Sequence, residues 1–202
     1  ANIILLSDAK SKDMNEKLQS SFLQAKSVDN IQGIQSALVK GATNIVFVSS
    51  DDVVFLSDVI RILYNTAGIS AKNKNYNIIM ATLDKGDAYD HNSISNSQLS
   101  ALKFTYPAAN RYAGETNAFI SKYFKTYKIS PSKYAFRGFD LTMDAVLRTS
   151  LSGNFLKEAN IGETSYQENK FQYIKNPSKG GGYENRAVYI LRYEDLQISE
   201  IY

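Results

Sequence analysis

The chain of 202 residues predicts an α/β protein, a three-layer open parallel sheet with a C-terminal antiparallel β pair. Three observations predict it. Short apolar runs alternate with stretches of helical spacing as far as Pro107. Two helical patterns then follow one another with no strand between them. The remainder turns to period-two alternation broken by turn residues. Alternating strands and helices imply parallel strands joined by right-handed crossovers, and late alternation implies hairpins.

Asn2-Ile-Ile-Leu-Leu-Ser7 is a continuous apolar run of the kind that suits a parallel strand covered on both faces. Met14, Leu18, Phe22 and Ala25 follow at helical spacing. Asn30 can cap a helix carrying Ile31, Ile34 and Leu38, with Gly41 ending it. Asn44-Ile-Val-Phe-Val-Ser49 is a second strand. Asp51 or Asp52 then caps a helix with Phe55, Leu56, Val59, Ile60 and Leu63 that stops at Gly68. Lys72–Asn75 reads as a polar turn, Asn77–Ala81 as a third strand, Ser97–Ser100 as a helical turn and Leu102–Thr105 as a fourth strand that runs on to Tyr106. Beyond Pro107 the spacing predicts helices over Glu115–Lys128 and Phe136–Leu151, separated by Pro131 and stopped by Gly153. Their aromatic residues Phe119, Tyr123, Phe124, Tyr127, Phe136 and Phe139 are expected to be buried against something outside the main sheet. Lys170–Ile174 and Arg186–Tyr193 are expected to pair across a loop holding Gly180, Gly181 and Gly182.

The composition excludes several function classes. Apolar residues make up 44% and charged residues 21%, ordinary for a globular protein. The net charge of +3 is scattered, whereas a nucleic-acid binder concentrates its basic residues on one face. There is no cysteine, so disulfides and thiolate zinc sites are excluded. No apolar run approaches the ~20 residues that span a bilayer. Ala1–Leu6 is too short and lacks the basic flank of a signal peptide, so an export signal, if the protein has one, lies outside this sequence.

Catalytic signatures are missing. His91 is the single histidine, in Asp87-Ala-Tyr-Asp-His-Asn92, and a solvated loop describes Asp87, Asp90 and His91 better than a metal site. No nucleophile elbow, P-loop or dinucleotide fingerprint is present. Gly180–Gly182 lies between strand patterns, not before a helix that could hold a phosphate. No catalytic residue, metal or cofactor is therefore assigned. In an open α/β sheet, ligands bind outside the carboxyl ends of the strands. Here those ends are Ser7–Lys10, including Ser7 and Asp8, Ser49–Asp52, Leu83–Asp87 and Tyr106-Pro107. Their hydroxyls, carboxylates, lysine and aromatic ring suit a small polar molecule. Ser and Asp after a strand are equally ordinary helix caps.

Several segments resemble type I periplasmic-binding-protein-like receptors. Pro131-Ser-Lys-Tyr-Ala-Phe-Arg-Gly-Phe-Asp140 is similar to that family's Pro-Ser-x-Tyr-Ala-x-x-Gly-Tyr-Asp text, with Phe139 in place of the Tyr. Ile45–Leu63 resembles the strand, polar loop and helix of the second lobe, especially in Bacteroidetes members often fused to LysM peptidoglycan-binding modules. Leu99–Pro107, Phe171–Tyr173, Gly181-Gly182, Asn185 and Val188–Tyr193 resemble later segments, so the likeness spans nearly the whole chain. It implies a solute-binding or ligand-sensing domain, of the kind that serves ABC transporters or receptors, in the periplasm or cell envelope. That domain would bind a small polar, amino-acid-like molecule by lobe closure and would not be an enzyme. The matching positions for ligand contact are Ser49, Ser50, Asp51, Asp84 and Tyr106. The resemblance further implies that residues 1–107 form an α/β lobe and that residues 108–153 pack on a missing N-terminal lobe or on a second copy of the chain. Residues 154–202 would return to the first lobe. Association with peptidoglycan would come through modules outside this sequence. The region before Asn30 is shorter than usual, which implies a reduced or absent strand there. Two alternatives stand beside this reading: an α/β enzyme acting at the same strand ends, and a cell-wall scaffold that kept the fold without a ligand.

Overall fold

The computed structural model describes residues 1–22, 24–68, 76–112, 114, 117–177 and 180–201. The expected turn at Lys72–Asn75 and the expected helix start at Glu115 lie outside them. The chain divides into two compact units, one of residues 1–107 with 190–202 and one of residues 108–189. Residues 154–189 thus group with the helices that precede them.

The first unit is built on a sheet of seven strands. In chain order its elements are β1 (Asn2–Ser7), α1 (Lys12–Ser21), β2 (Lys26–Val28), a 3-10 turn at Ile31–Gly33 leading into α2 (Ile34–Ala37), β3 (Thr43–Ser49), α3 (Val53–Ala67) and β4 (Asn77–Ala81). A 3-10 turn at Asp87–Asp90, α4 (Asn96–Ala101) and β5 (Thr105–Ala108) complete the first pass. In space β2, β1, β3, β4 and β5 lie side by side in that order and pair in parallel. The open parallel sheet is the one the sequence predicts. Its strands start together because each of β1, β3 and β4 carries an asparagine at its amino end. The fully buried Asn44 carboxamide accepts from Asn2 Nδ2 at 2.9 Å and donates to the Asn77 carbonyl at 3.2 Å. It also bonds both backbone groups of Val39, so this polar group is satisfied inside the core.

Alternate residues face alternate sides. Ile4, Leu6, Val46, Val48 and Met80 share one face and are buried, as are Leu56, Ile60 and Leu63 of α3, which packs on β4. The other face packs Ile3, Leu5 and Phe47 against Leu18 of α1 and Ala25. Toward β4 and β5 that face is an apolar groove of about 340 Å³ lined by Ile45, Ile79, Ala81, Ile190 and Ile201.

α3 has the caps the sequence gives it. Asp52 accepts from the Val54 and Phe55 amides, and Gly68 closes the helix at φ 66°, a left-handed conformation that glycine adopts without strain. Three expectations need correction. α1 ends at Ser21, and Ala25 leads instead into β2, which is present but only three residues long. The helix after Asn30 stops at Ala37, before Gly41. The strand expected over Leu102–Thr105 begins only at Thr105, because Leu102 still bonds back to Gln98 and Lys103 turns the chain at φ 49°.

The second unit comprises α5 (Ala118–Tyr127), α6 (Lys133–Ser152), α7 (Phe155–Glu158) and two small antiparallel pairs. These are β6 (Thr164–Ser165) with β7 (Lys170–Phe171), and β8 (Tyr173–Lys175) with β9 (Tyr183–Asn185). Antiparallel pairing near the C-terminus is present as expected, but Lys170–Ile174 and Arg186–Tyr193 are not each other's strand partners. β8 meets β9, while β10 (Tyr189–Glu194) joins the seven-stranded sheet beside β5 and pairs with β11 (Gln197–Glu200). A tight turn at Asp195 and Leu196, both at positive φ, makes that hairpin possible.

α6 is inside out. Its buried side holds Asp140, Asp144 and Arg148 at 0%, 0% and 1% exposure, while Leu141, Val146, Leu147 and Leu151 are exposed. Of the expected aromatic stripe only Phe136 is buried. Phe119 packs with Tyr123, Phe136 and Phe139, and Phe124 and Tyr127 remain exposed. The charges are kept inside because every one is answered. Arg148 donates to both Asp144 oxygens, to the Glu158, Ala159, Gly162 and Phe171 carbonyls and to Thr164 Oγ1. Asp140 accepts from the Gln167, Glu168 and Asn169 amides and from Asn169 Nδ2. One helix face thus clasps the segment from Glu158 to Phe171 by charge-assisted hydrogen bonds.

Candidate functional site

In the first unit the chain runs from β1 outward to β2, then back across β1 to β3, so the switch in strand order falls between β1 and β3. The loops after those two strands carry Ser7, Asp8, Ser49 and Ser50. The structure brings them together. The Asp8 amide donates to the Ser49 carbonyl at 3.4 Å, and Ser50 Oγ donates to Asp8 Oδ2 at 2.5 Å. Asp8 Oδ1 accepts from the Lys10 and Ser11 amides at 2.9 and 2.8 Å. Burial would raise the Asp8 carboxyl, but the hydrogen bonds from Ser50, Ser11 and Lys10 outweigh it and hold it below the usual carboxylate range. Ser50 Oγ also accepts from the Asp52 amide. Asp8, Ser50 and Asp52 are thus bonded to the loops they stand on.

The third loop comes against the second. A side chain at Gly86 would place its Cβ 2.8 Å from Asp51 Oδ1, so glycine is what lets Asp51 sit there. Thr82 Oγ1 bonds the backbone of Asp84 in both directions, at 3.0 and 3.3 Å, holding that loop in a tight turn. Beneath them Tyr89 donates to the Val48 carbonyl. Burial pushes its phenol well above the ordinary value, with Asp51 and Asp84 adding repulsion. Tyr106 differs from the other candidates. It is buried between Phe104 and Tyr193, Lys85 Nζ stands 5.5 Å from its ring centre, and burial pushes its phenol up to about 12.

A polar cavity of about 560 Å³ opens at the carboxyl ends of β1 and β2, beside α1. Ser7 lines it, together with Lys12, Asn15, Glu16, Gln19 and Asp29, while Asp8, Ser49, Ser50, Asp51, Asp84 and Tyr106 do not. Asn15 is the residue that sequence reasoning missed. It is buried, and its Oδ1 has no hydrogen-bond partner among the described residues. A buried unmet acceptor costs ~1–3 kcal/mol. Only the asparagine on a mostly apolar helix stripe could have signalled it. Among the described residues no group of three or more His, Cys, Asp or Glu is placed to hold a metal, and no helix is long and apolar enough to cross a membrane.

The chain superposes on the periplasmic ligand-binding protein of a branched-chain amino acid ABC transporter from Burkholderia xenovorans with a TM-score of 0.52 at 10% identity, covering 99% of this chain and 57% of that one. The fold resembles that of a periplasmic ligand-binding protein. Full-length LpoA from Haemophilus influenzae (TM-score 0.48, 10% identity, 99% of this chain and 36% of that one) is a more distant likeness. So is a fatty acid ABC transporter substrate-binding protein from Thermomonospora curvata (TM-score 0.42, 11% identity, 98% and 55%). The chain spans less than two thirds of the length of each. No protein-family model matches the chain, and no curated protein sequence matches it. Likeness at this identity establishes fold, and fold leaves the ligand open.

Proposed function

We propose that the chain is the solute-binding lobe of a periplasmic-binding-like protein and takes a small zwitterion such as an amino acid at the strand ends of its first unit. The observation that carries this reading is the cavity beside Ser7, which is lined by several charged and amide side chains together with Val28 and walled by the unmet Asn15 carboxamide. Lys12 supplies a cation for a carboxylate, and Glu16 and Asp29 supply anions for an ammonium group. Ser49, Ser50, Asp51, Asp84 and Tyr106 form the neighbouring loop set, where contacts on lobe closure would be made. Closure is driven by the ligand's preference for the closed state. A place in the periplasm or cell envelope, and kinship with the LysM-associated members of the family, belong to the same proposal and rest on the order of the sequence motifs.

Calorimetry against the twenty amino acids tests it. Weak saturable binding of at least one is expected, with Asn15→Ala and Ser7→Ala each reducing affinity by roughly tenfold, as for one lost polar contact. Absence of binding, or binding indifferent to both substitutions, refutes the site. One observation favours the ligand-free scaffold instead: Asp8, Ser50 and Asp52 spend their polar atoms on one another and on local backbone. That scaffold predicts a flat calorimetric trace with every solute.

A further inference from the structure

The second unit has a cavity of its own, about 310 Å³, between the first turns of α6 and the strand β7. Three cations line it, Lys133, Arg137 and Lys170, against a single carboxylate, Glu168. The remaining polar lining is neutral: Asn110, Tyr134, Asn169 and Asn185. We propose that this cavity binds a small anionic molecule through a carboxylate or phosphate group, at a site separate from the strand ends of the first unit.

The argument rests on which of these groups are already engaged. Lys170 is nine-tenths buried, held 3.4 Å from Glu163 Oε1 and 4.5 Å from the centre of the Tyr189 ring. It contributes positive potential to the wall from a fixed position. Lys133 rests over the Tyr134 ring, and neither Lys133 nor Arg137 forms an ion pair with any carboxylate among the described residues. Two cations four residues apart on one helix face repel each other. That arrangement is relieved when an anion sits between them, and the planar guanidinium fork is suited to two parallel bonds with a carboxylate or phosphate.

The opposite wall is rigid. The Asp140 carboxylate fixes the amides of Gln167, Glu168 and Asn169. Asn185 donates to the Lys170 carbonyl and accepts from the Gln172 and Ala187 amides. Asn110 pairs with Asn169 as an isolated bridge, closing the floor. An anion entering here meets a wall that needs no reordering, so little of the attraction is spent on entropy. The charges of α6 divide accordingly: its acidic groups are consumed within the fold, and its two exposed cations face the cavity.

The test is titration of the whole chain with sodium succinate and with inorganic phosphate at low ionic strength, against sodium chloride at matched ionic strength. Saturable millimolar or tighter binding of at least one is expected. Succinate alone marks a carboxylate ligand, and phosphate alone a phosphate ligand. Lys133→Ala/Arg137→Ala, at two exposed positions, is expected to weaken it by about tenfold or more. Arg137→Gln alone is expected to lose a smaller part and serves if the double variant folds poorly. The amino acid titrations of Ser7→Ala and Asn15→Ala report on the strand-end site and the anion titrations of the Lys133 and Arg137 variants on this one, so failure of the strand-end site and failure of this one are separable. Binding no stronger than that of chloride, or equal in the parent and the Lys133/Arg137 variants, overturns the proposal.

Discussion

The two units of this chain solve the problem of a stable interior in opposite ways. In the first, α3 turns Leu56, Val59, Ile60 and Leu63 inward, all at 0% exposure, and points its polar residues out. In the second, α6 turns Asp140, Asp144 and Arg148 inward and leaves Leu147 and Leu151 exposed. The first arrangement draws on non-directional burial, worth ~1.5–3 kcal/mol for each large apolar side chain. The second draws on directional bonds that fix one geometry and penalise every other. Burial tolerates a lost contact in proportion to its size. A buried ionic network fails more abruptly, because removal of one partner strands the rest.

The sharpest way to break the comparison is at Arg148. Arg148→Met is expected to cost the second unit about 3–5 kcal/mol by leaving Asp144 buried without its cation. Hydrogen exchange resolved by residue should show Thr164–Phe171 losing protection while β1, β3 and β4 keep theirs. Adding Asp144→Leu should restore most of the loss, since a well-packed apolar pair commonly replaces a buried ion pair at little cost. If the double variant is no better than the single, the network does more than satisfy its own charges.

Leu63→Ala comes next. It is expected to cost the first unit about 2–5 kcal/mol through lost burial and a residual cavity, with the second unit's exchange unchanged. Equal loss of protection in both units would mean that they unfold as one, and the contrast between them would then be structural without being energetic.

The smallest effect is at Asp8. Its carboxyl is held below the usual range in the folded chain. The stability it lends is therefore present above about pH 4, where the unfolded carboxyl is also charged, and is lost as pH falls through the lowered folded value. For a group this near the surface, screened by solvent, the contribution should stay below about 1 kcal/mol. Denaturant midpoints from pH 7 to pH 2 should show a slightly shallower acid loss in Asp8→Asn than in the parent. An identical pH profile would show that the Asp8–Ser50 bond contributes nothing to the junction of the first two loops.

Much of the first unit was legible in the sequence. β1, β3 and β4 are dense apolar runs that must be covered on both faces, and α3 is bounded by an aspartate cap and a left-handed glycine. β2 was not legible, because Lys26-Ser27-Val28 is short, polar and half in solvent at the sheet edge. The hairpin of β10 and β11 was hidden because its turn uses Asp195-Leu196, a pair with no glycine to announce positive φ. The candidate loops were legible as strand ends. The engagement of Asp8, Ser50 and Asp52 with one another was not, since the same residue types serve as caps and as ligand contacts. Asn15 left only the faint signal of an asparagine on a helix stripe, and the cationic cavity of the second unit left none, because each depends on side chains that meet only after folding.

What the sequence by itself determined is the alternation of elements, the parallel sheet and the position of its strand ends. Each follows from local periodicity and caps, which act over a few residues. Only the tertiary structure decided which face of α6 is inside. The expected buried face was the aromatic one, with Phe136 and Phe139, whereas Asp140, Asp144 and Arg148 at four-residue spacing are the residues enclosed beside Phe136. The orientation reverses because the partners that satisfy those charges, the carbonyls and amides from Glu158 to Phe171, lie ten to thirty residues away in the chain. A charge is expensive in the interior only while it is unpaired, and pairing across that distance is a property of the fold.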